Sequence, residues 1–416
     1  MLCRSSLLVL NLIKNLVNME NKMIENLRNN PIFQMSLGSK ELFHSNFLAW
    51  IFDKSDQKAF ALHILNQFPI INNCITDITE SPSREKYNID LTLKVKFNDG
   101  NDKIIVIENK VKSLPDKHQL SKYKDKNKAD FYYLLTLVKP DFNTDGWQTI
   151  TYGDLSNFIN SSLDKIVTSG NENESNTFLT IIKLYNEFIT SLQSIANQYF
   201  MLNENEIFNY NENIINTEFK SIRINDLYLK LKYDSIKQKI SKKINDLELD
   251  LIVANPWNNE NLNIENGYVI NTGFSRAQAM VDFKYIVKSF KVSQKYNYFI
   301  LGIQLQGNQL RYVCEVIGTN FNKSLVVNLA KELYENNLWL KSPIDRPNGL
   351  FKHIDMGEGR KKESPFPSYL NTFFYKYDLV SSEAKTDILI DFIVQLINHI
   401  VDNRDIYVKK FDSLTK

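Results

Sequence analysis

Two carboxylates and a lysine are placed where they could do chemistry together. Glu108 and Lys110 stand two residues apart at the end of the apolar run Ile104-Ile105-Val106-Ile107. On a strand, residues two apart leave the same face. A carboxylate and an ammonium at the end of such a run lose solvation, which is costly unless they are paired or bound to a metal. Asp90 lies on the polar face of the preceding alternating segment, Asn88–Phe97. Two acidic oxygens can hold Mg²⁺ in an octahedral shell that keeps several waters. Such a metal polarises a phosphate and lowers the pKa of an attacking water. A lysine beside it orients or deprotonates that water, or stabilises the developing negative charge. The chemistry this trio suggests is metal-assisted phosphodiester hydrolysis.

The elements around the trio must bring it together. In Asn88–Phe97, Ile89, Leu91, Leu93, Val95 and Phe97 alternate with Asp90, Thr92, Lys94 and Lys96, which predicts a strand with one apolar face. Asn98-Asp99-Gly100-Asn101 predicts a tight hairpin. Pairing about that turn brings Asp90 opposite a position near Glu108–Lys110. The run Ile104–Ile107 is apolar on both faces, as a central strand requires. Before it, residues 39–68 read as helical, with Ser39 as N-cap, a buried stripe of Phe43, Phe47, Leu48 and Ile51, and a second helix from Phe60 to Phe68. Asp77–Ser81 reads as a first strand carrying Glu80. After it come a helix near Asp116–Lys126, a strand over Phe131–Val138, a short strand at Trp147–Thr151, a helix opening at Gly153-Asp154 and a long helix over Thr177–Gln198. This order describes an α/β fold with a mixed sheet.

Composition narrows the chemistry further. The chain has 416 residues, 50 Lys+Arg against 48 Asp+Glu, 43% hydrophobic and 24% charged residues. That is an ordinary globular composition, so disordered and nucleic-acid-coating classes are excluded, while a local basic groove is not. The three cysteines and five histidines are dispersed, so no zinc cluster or disulfide framework is available and a reducing cytoplasmic setting is expected. His44 reads as a helix-packing or capping residue in preference to a ligand. Residues 94–128 carry ten lysines against five acids. These lysines either bind phosphate or form a solvated helix face. Arg84 and Lys86, between the first two strands, could also touch backbone phosphates.

The order Asp … Glu-x-Lys resembles the core of the PD-(D/E)xK nuclease superfamily, here Asn88-Ile89-Asp90-Leu91 followed by Ile107-Glu108-Asn109-Lys110. Three further segments strengthen it. Glu41-Leu42-Phe43-His44-Ser45-Asn46-Phe47-Leu48-Ala49-Trp50 is similar to the first helix of one bacterial branch of that superfamily. His118-Gln119-Leu120-Ser121-Lys122-Tyr123 is similar to its "Q…Y" helix, and Trp147–Leu155 to its closing element. Asn88 and Ile89 stand where some members carry Pro. The resemblance implies a restriction-endonuclease-like mixed sheet flanked by helices and a Mg²⁺- or Mn²⁺-dependent nuclease. It implies that Glu41, Asp90 and Glu108 hold the metal, and that Asp90, Glu108, Lys110 and Gln119 act in catalysis. Arg84, Lys86, Lys112, Lys117, Lys122 and Tyr123 are the expected nucleic-acid contacts. The implied partner is nucleic acid, DNA ahead of RNA, in a phage-defence or mobile-element setting, with a homodimer as one arrangement. The alternative is a catalytically weak nuclease fold serving as a nucleic-acid-binding or protein-interaction module.

The resemblance covers about residues 35–160. We expect an N-terminal extension over 1–34, a nuclease-like domain over 35–200, a linker over 201–216 and a second α+β domain over 217–416. The apolar run Leu7–Leu16 is too short for a membrane span and lacks a small-residue cleavage site. An overlong start, with Met19 or Met23 as the true beginning, or a short helix accounts for it. In the second half, Ser221–Leu247, Lys323–Asn337 and Ala384–Val401 read as helices. Asn263–Asn271, Ala279–Tyr285, Tyr298–Leu305 and Leu310–Val316 read as antiparallel strands. Gly357–Lys362 reads as a surface loop that could contact nucleic acid. Phe366, Tyr369, Phe373, Phe374 and Tyr375 read as core or docking residues.

Overall fold

The structure is a computed structural model. It describes residues 22–415 apart from 39, 54–56, 73, 114, 116, 141, 170–175, 201–205, 209–213, 246–248, 252–263, 265–266, 276–277, 319–321, 353–367 and 370–371. The expectations for the first 21 residues, the Ser39 cap, Gly357–Lys362 and Phe366 lie outside the described residues. The chain divides into two units. The first is Met1–Met201 with Thr217–Leu231, and the second is Leu202–Asn216 with Lys232–Lys416. No helix among the described residues is long and apolar enough to cross a membrane.

The first unit is α/β. Its helices are α1 (residues 22–29), α2 (Pro31–Met35), α3 (Glu41–Asp53) and α4 (Lys58–Leu65), before the strands begin. β1 (Ile75–Ile78), β2 (Ser83–Lys86), β3 (Ile89–Phe97) and β4 (Asp102–Lys110) follow, then α5 (Lys117–Lys126), β5 (Phe131–Thr136), β6 (Gln148–Thr151), α6 (Tyr152–Ser169) and α7 (Asn176–Ile195). The part of α8 (Ile214–Ser221) from Thr217 on and the start of α9 (Asn225–Ile244) complete it. The sheet order is β1-β3-β4-β5-β6, with β2 paired to β3. β1, β3 and β4 run antiparallel, and β4, β5 and β6 run parallel, so the sheet is mixed.

The hairpin forms because Gly100 takes φ +84° in its turn, where a Cβ would be strained, and Asp99 Oδ1 accepts from the Asn101 amide at 2.9 Å. Its register pairs Leu91 with Ile107 and Lys96 with Asp102. β4 is central and buried from Ile105 to Lys110, which explains its run of apolar residues. Residues paired across the ladder share a face, so Leu91, Ile107 and Tyr133 lie on one side and Thr92, Val106 and Tyr132 on the other. On the second side, Val106, Tyr132 and Leu134 pack with Leu120 of α5 and with Trp147, whose Nε1 donates to the Leu120 carbonyl at 3.2 Å. On the first side stand Asn109, bonded to α3 and α6, and Tyr133, whose ring meets Phe68 with centroids 5.0 Å apart.

The second unit is α+β. Its sheet runs β12 (Ser368–Tyr369), β13 (Phe373–Leu379), β11 (Gln309–Ile317), β10 (Lys295–Gln306), β9 (Gln278–Val292), β8 (Gly267–Ser275), β7 (Asp250–Leu251). All neighbours are antiparallel except β7 and β8. Two-residue turns at Ser293-Gln294 and Gly307-Asn308 join the three long strands. Helices α10 (Lys323–Glu335), α11 (Thr386–Asp402) and α12 (Arg404–Thr415) pack on β11, β10 and β9 respectively. The sequence reading contained neither β13 nor α12. The expected single helix over Ser221–Leu247 is broken at Ile222–Ile224, where Arg223 takes φ +61°.

Gly302 sits mid-strand in β10 because a Cβ there would lie 2.5 Å from the Phe283 carbonyl oxygen. That neighbour is backbone and cannot step aside. Gly302→Ala is therefore expected to destabilise the protein by about 1–3 kcal/mol, read as a lower urea midpoint.

Candidate active site

One step beyond the Leu91–Ile107 pair, the antiparallel ladder places Asp90 opposite Glu108, so both carboxylates leave the α5 side of the sheet. Lys110, two residues on, shares that side, and its Nζ lies 2.9 Å from Glu108 Oε1. Asp90 Oδ2 accepts from the Asn109 amide at 2.7 Å. Glu108 is 3% and Lys110 7% exposed, and Asp90 is half-buried. Glu108 Oε2 is buried with no hydrogen-bond partner.

Electrostatics follow from this burial. Desolvation pushes the Asp90 carboxyl up to about 6, against the Asn109 N–H and the Lys110 charge, with Glu85 and Glu41 adding to the rise. Burial likewise pushes Glu108 up to about 7, against Lys110 and with Asp90 adding to the rise. Burial by itself lowers Lys110, but Glu108 and Glu41 outweigh it and hold the ammonium charged. Two carboxylates thus share one ammonium in a desolvated spot, which is short of positive charge. A buried, unpartnered oxygen on Glu108 and an adjacent half-buried carboxylate are the donor set a hard divalent cation takes. Asp90 and Glu108 therefore fit such an ion.

Glu41 is placed differently from the two sheet carboxylates. Its Oε1 accepts from the Lys112 amide at 3.0 Å, the Ser113 amide at 2.7 Å and the Ser113 hydroxyl at 2.6 Å. The first residue of α3 thus clamps the chain as it leaves β4. Among the described residues, no group of three or more His, Cys, Asp or Glu side chains is close enough to hold a metal. The structure therefore does not gather Glu41, Asp90 and Glu108 into one three-carboxylate pocket.

On α5, Gln119 Nε2 donates to the Tyr123 hydroxyl at 2.7 Å, as their four-residue spacing allows. Burial, with the charge of Glu108, holds the Tyr123 phenol above its usual value, so it stays protonated beside the carboxylates. Among the other expected contacts, Lys122 and Lys86 are exposed, Lys117 approaches Asp145 at 3.9 Å, and Arg84 donates to Asn46 Oδ1. Lys112 is held inside its unit: its Nζ reaches the Arg223 carbonyl at 3.1 Å and Asp226 at 3.3 Å, and its own carbonyl accepts from Lys230 at 3.0 Å.

Sequence reasoning gave Asn109 and Tyr152 no role. Asn109 points to the face opposite Glu108. Its Nδ2 donates to the Glu41 carbonyl at 3.0 Å, and its Oδ1 accepts from the Tyr152 hydroxyl at 2.6 Å. An asparagine within a buried apolar strand needs such partners, and that was the available signal. His44 packs among rings, with centroids 5.1 Å from Tyr152 and 5.2 Å from Phe188, and its Nδ1 lies 3.0 Å from the Tyr185 hydroxyl. Burial pushes it down to about 3, so it is a neutral packing residue.

Two outcomes are expected. Asn109→Ala strands the Tyr152 hydroxyl without its acceptor and should cost about 1–3 kcal/mol, measured by chemical denaturation. An unfolded histidine protonates near 6.5 and the folded His44 only near 3. Above pH 6.5 both are neutral and His44 makes no pH-dependent contribution. As pH falls from 6.5 toward 3 the unfolded chain gains the proton first, and stability drops by up to about 5 kcal/mol. The melting temperature of His44→Gln should fall less steeply over that range than that of wild type.

No curated protein and no solved structure matches the chain. Residues 30–183 do match a family model. The matched stretch begins at the N-cap of α2, ends within α7 and takes in every strand of the first unit's sheet. It covers less than half of the chain and none of the second unit. That model describes the PD-(D/E)XK nuclease superfamily, to which the segment holding Asp90, Glu108 and Lys110 is therefore similar.

Proposed function

We propose that the protein is a metal-dependent nuclease that hydrolyses phosphodiester bonds in nucleic acid, with DNA as the first substrate to test. The observation that carries this reading is the shortage of positive charge at Asp90 and Glu108, with a buried Glu108 oxygen left without a partner. Asp90 and Glu108 would hold Mg²⁺ or Mn²⁺, and the remaining positions would be water. The bound ion supplies charge that polarises the phosphate and acidifies the attacking water. The Lys110 ammonium is paired with Glu108, and its place suits orienting that water or stabilising charge developing on the phosphate. Gln119 steers the Tyr123 hydroxyl, and that neutral phenol can donate to a phosphate oxygen. Lys122 and Lys86 offer exposed charges for phosphates along the strand. Glu41 serves the site by fixing the strand exit, as well as through its charge. A homodimer would present two such sites to the two strands of a duplex. The defence or mobile-element setting rests on the sequence resemblance alone.

The closed Glu108–Lys110 ion pair favours a second reading, a nuclease fold that binds nucleic acid without cutting it. Incubation of labelled DNA and RNA with Mg²⁺ or Mn²⁺ separates the two. We expect cleavage that EDTA abolishes and that Glu108→Gln or Lys110→Ala lowers by at least about a hundredfold. Circular dichroism should confirm that both variants fold. Asp90→Asn should also weaken Mn²⁺ binding in titration calorimetry. Binding that persists in EDTA with no cleavage of any substrate would establish the second reading, and full activity of Lys110→Ala would sink the first.

A further inference from the structure

The turn between β2 and β3 breaks a local rule beside the candidate site. Lys86 pairs with Ile89, so the loop is only Tyr87 and Asn88. Both take positive φ, +54° and +64°, the geometry of a type I′ turn. Asn and Gly fill such positions at least steric cost, and a bulky aromatic is disfavoured there. Tyr87 is nonetheless 65% exposed, one of the most exposed large hydrophobic side chains among the described residues. Folding therefore gains little from this tyrosine and bears its strain. A residue that offends both local conformation and burial points to a role outside folding.

Its position says what that role is. Asp90 is the third residue after Tyr87, about 10 Å of extended chain away. Glu85, on the other arm of the same hairpin, is close enough to raise the Asp90 pKa. The tip of the arm before the turn carries one exposed cation, Lys86, whose ammonium lies 5.7 Å from the centroid of the Tyr87 ring, while Arg84 pairs with Leu91 and donates to Asn46 on the α3 side, away from the carboxylates. A cation at a turn tip, beside a ring open to solvent, is a combination that can hold an unstacked base and its backbone. Every base has a π-face, so the contact needs no particular sequence.

We propose that Tyr87 stacks on an unpaired base of the substrate strand next to the phosphate that is cut at the Asp90–Glu108 site. The β2–β3 hairpin is then a substrate-engaging element, and the preferred substrate is single-stranded or frayed nucleic acid. This rests on the nuclease reading above and adds the state of the strand that the site accepts.

The test uses the full chain with Ca²⁺ in place of Mg²⁺, with cleavage checked to be absent over the measurement, so that the carboxylates are neutralised while binding is read. Single-stranded oligonucleotides carry 2-aminopurine at successive positions, and its quenching reports stacking. Tyr87→Phe should bind and quench like wild type. Tyr87→Asn should bind at least about tenfold more weakly and lose the quenching, while melting about 2 °C higher as the turn strain is released. A blunt duplex without unpaired bases should bind both variants and wild type alike. Unchanged single-strand binding by Tyr87→Asn overturns the inference and leaves the nuclease reading standing. Equal losses for single strand and blunt duplex also overturn it, in favour of a groove contact. A lower melting temperature alongside weaker binding overturns it as well, because it marks a structural role. If wild type neither binds nor cleaves any nucleic acid, the nuclease reading itself fails and takes the inference with it.

Discussion

Two carboxylates that cannot both be well solvated, with one ammonium paired to Glu108, are the constraint around which the first unit is arranged. Asp90 and Glu108 face each other across adjacent strands at the buried end of β4. Desolvation raises both, and Lys110 relieves only part of the cost. A fold selected only for stability would replace such a trio with apolar side chains, often at no loss. The surrounding structure instead holds it rigid. The Glu41 clamp fixes the strand exit, and Asn109 ties the same strand to α3 and α6 from the opposite face. One residue, Asn109, serves both sides, with its amide on Asp90 and its side chain on Glu41 and Tyr152.

That two-sided arrangement separates chemistry from support. The α5 side carries charge, with Gln119 and Tyr123 close to the carboxylates. The opposite side is an aromatic packing layer, in which Phe47 stacks on Tyr185 at 3.9 Å and His44 is held neutral. Strand β4 is the wall between them, and its alternation sends Glu108 and Lys110 one way and Asn109 the other.

Much of this was legible in the chain because it is local. Period-two alternation and the Asp-Gly turn determine which face Asp90 and Glu108 share, and both features lie within about twenty residues of one another in the sequence. What was not legible depends on partners far away or on geometry that violates preference. Lys112 looks like one more basic residue of a phosphate-binding strip, but its ammonium is taken by Arg223 and Asp226, more than a hundred positions on. Glu41 resembles a metal ligand, and only the fold shows that its oxygen faces two backbone amides. β2 is short and exposed, and its Glu85 takes φ +55°, so no pattern announced it. Strand β13, Phe373–Leu379, was read only as a group of aromatics, because its pairing with β11 joins segments some sixty residues apart.

The hairpin that carries the site has a parity. Both Asp90 and Glu108 are counted from the turn at Asn98–Asn101, one backward along β3 and one forward along β4. Inserting or deleting one residue in either arm rotates everything beyond it to the opposite face, so a carboxylate would exchange places with a neighbour built for apolar packing. The turn itself has no such arithmetic, since its residues lie beyond the last ladder pair, Lys96 with Asp102, and the space around Gly100 is open. Length variation over evolutionary time can therefore accumulate at the tip of this hairpin, while its two arms can change length only together and in even steps, so that Asp90 stays opposite Glu108.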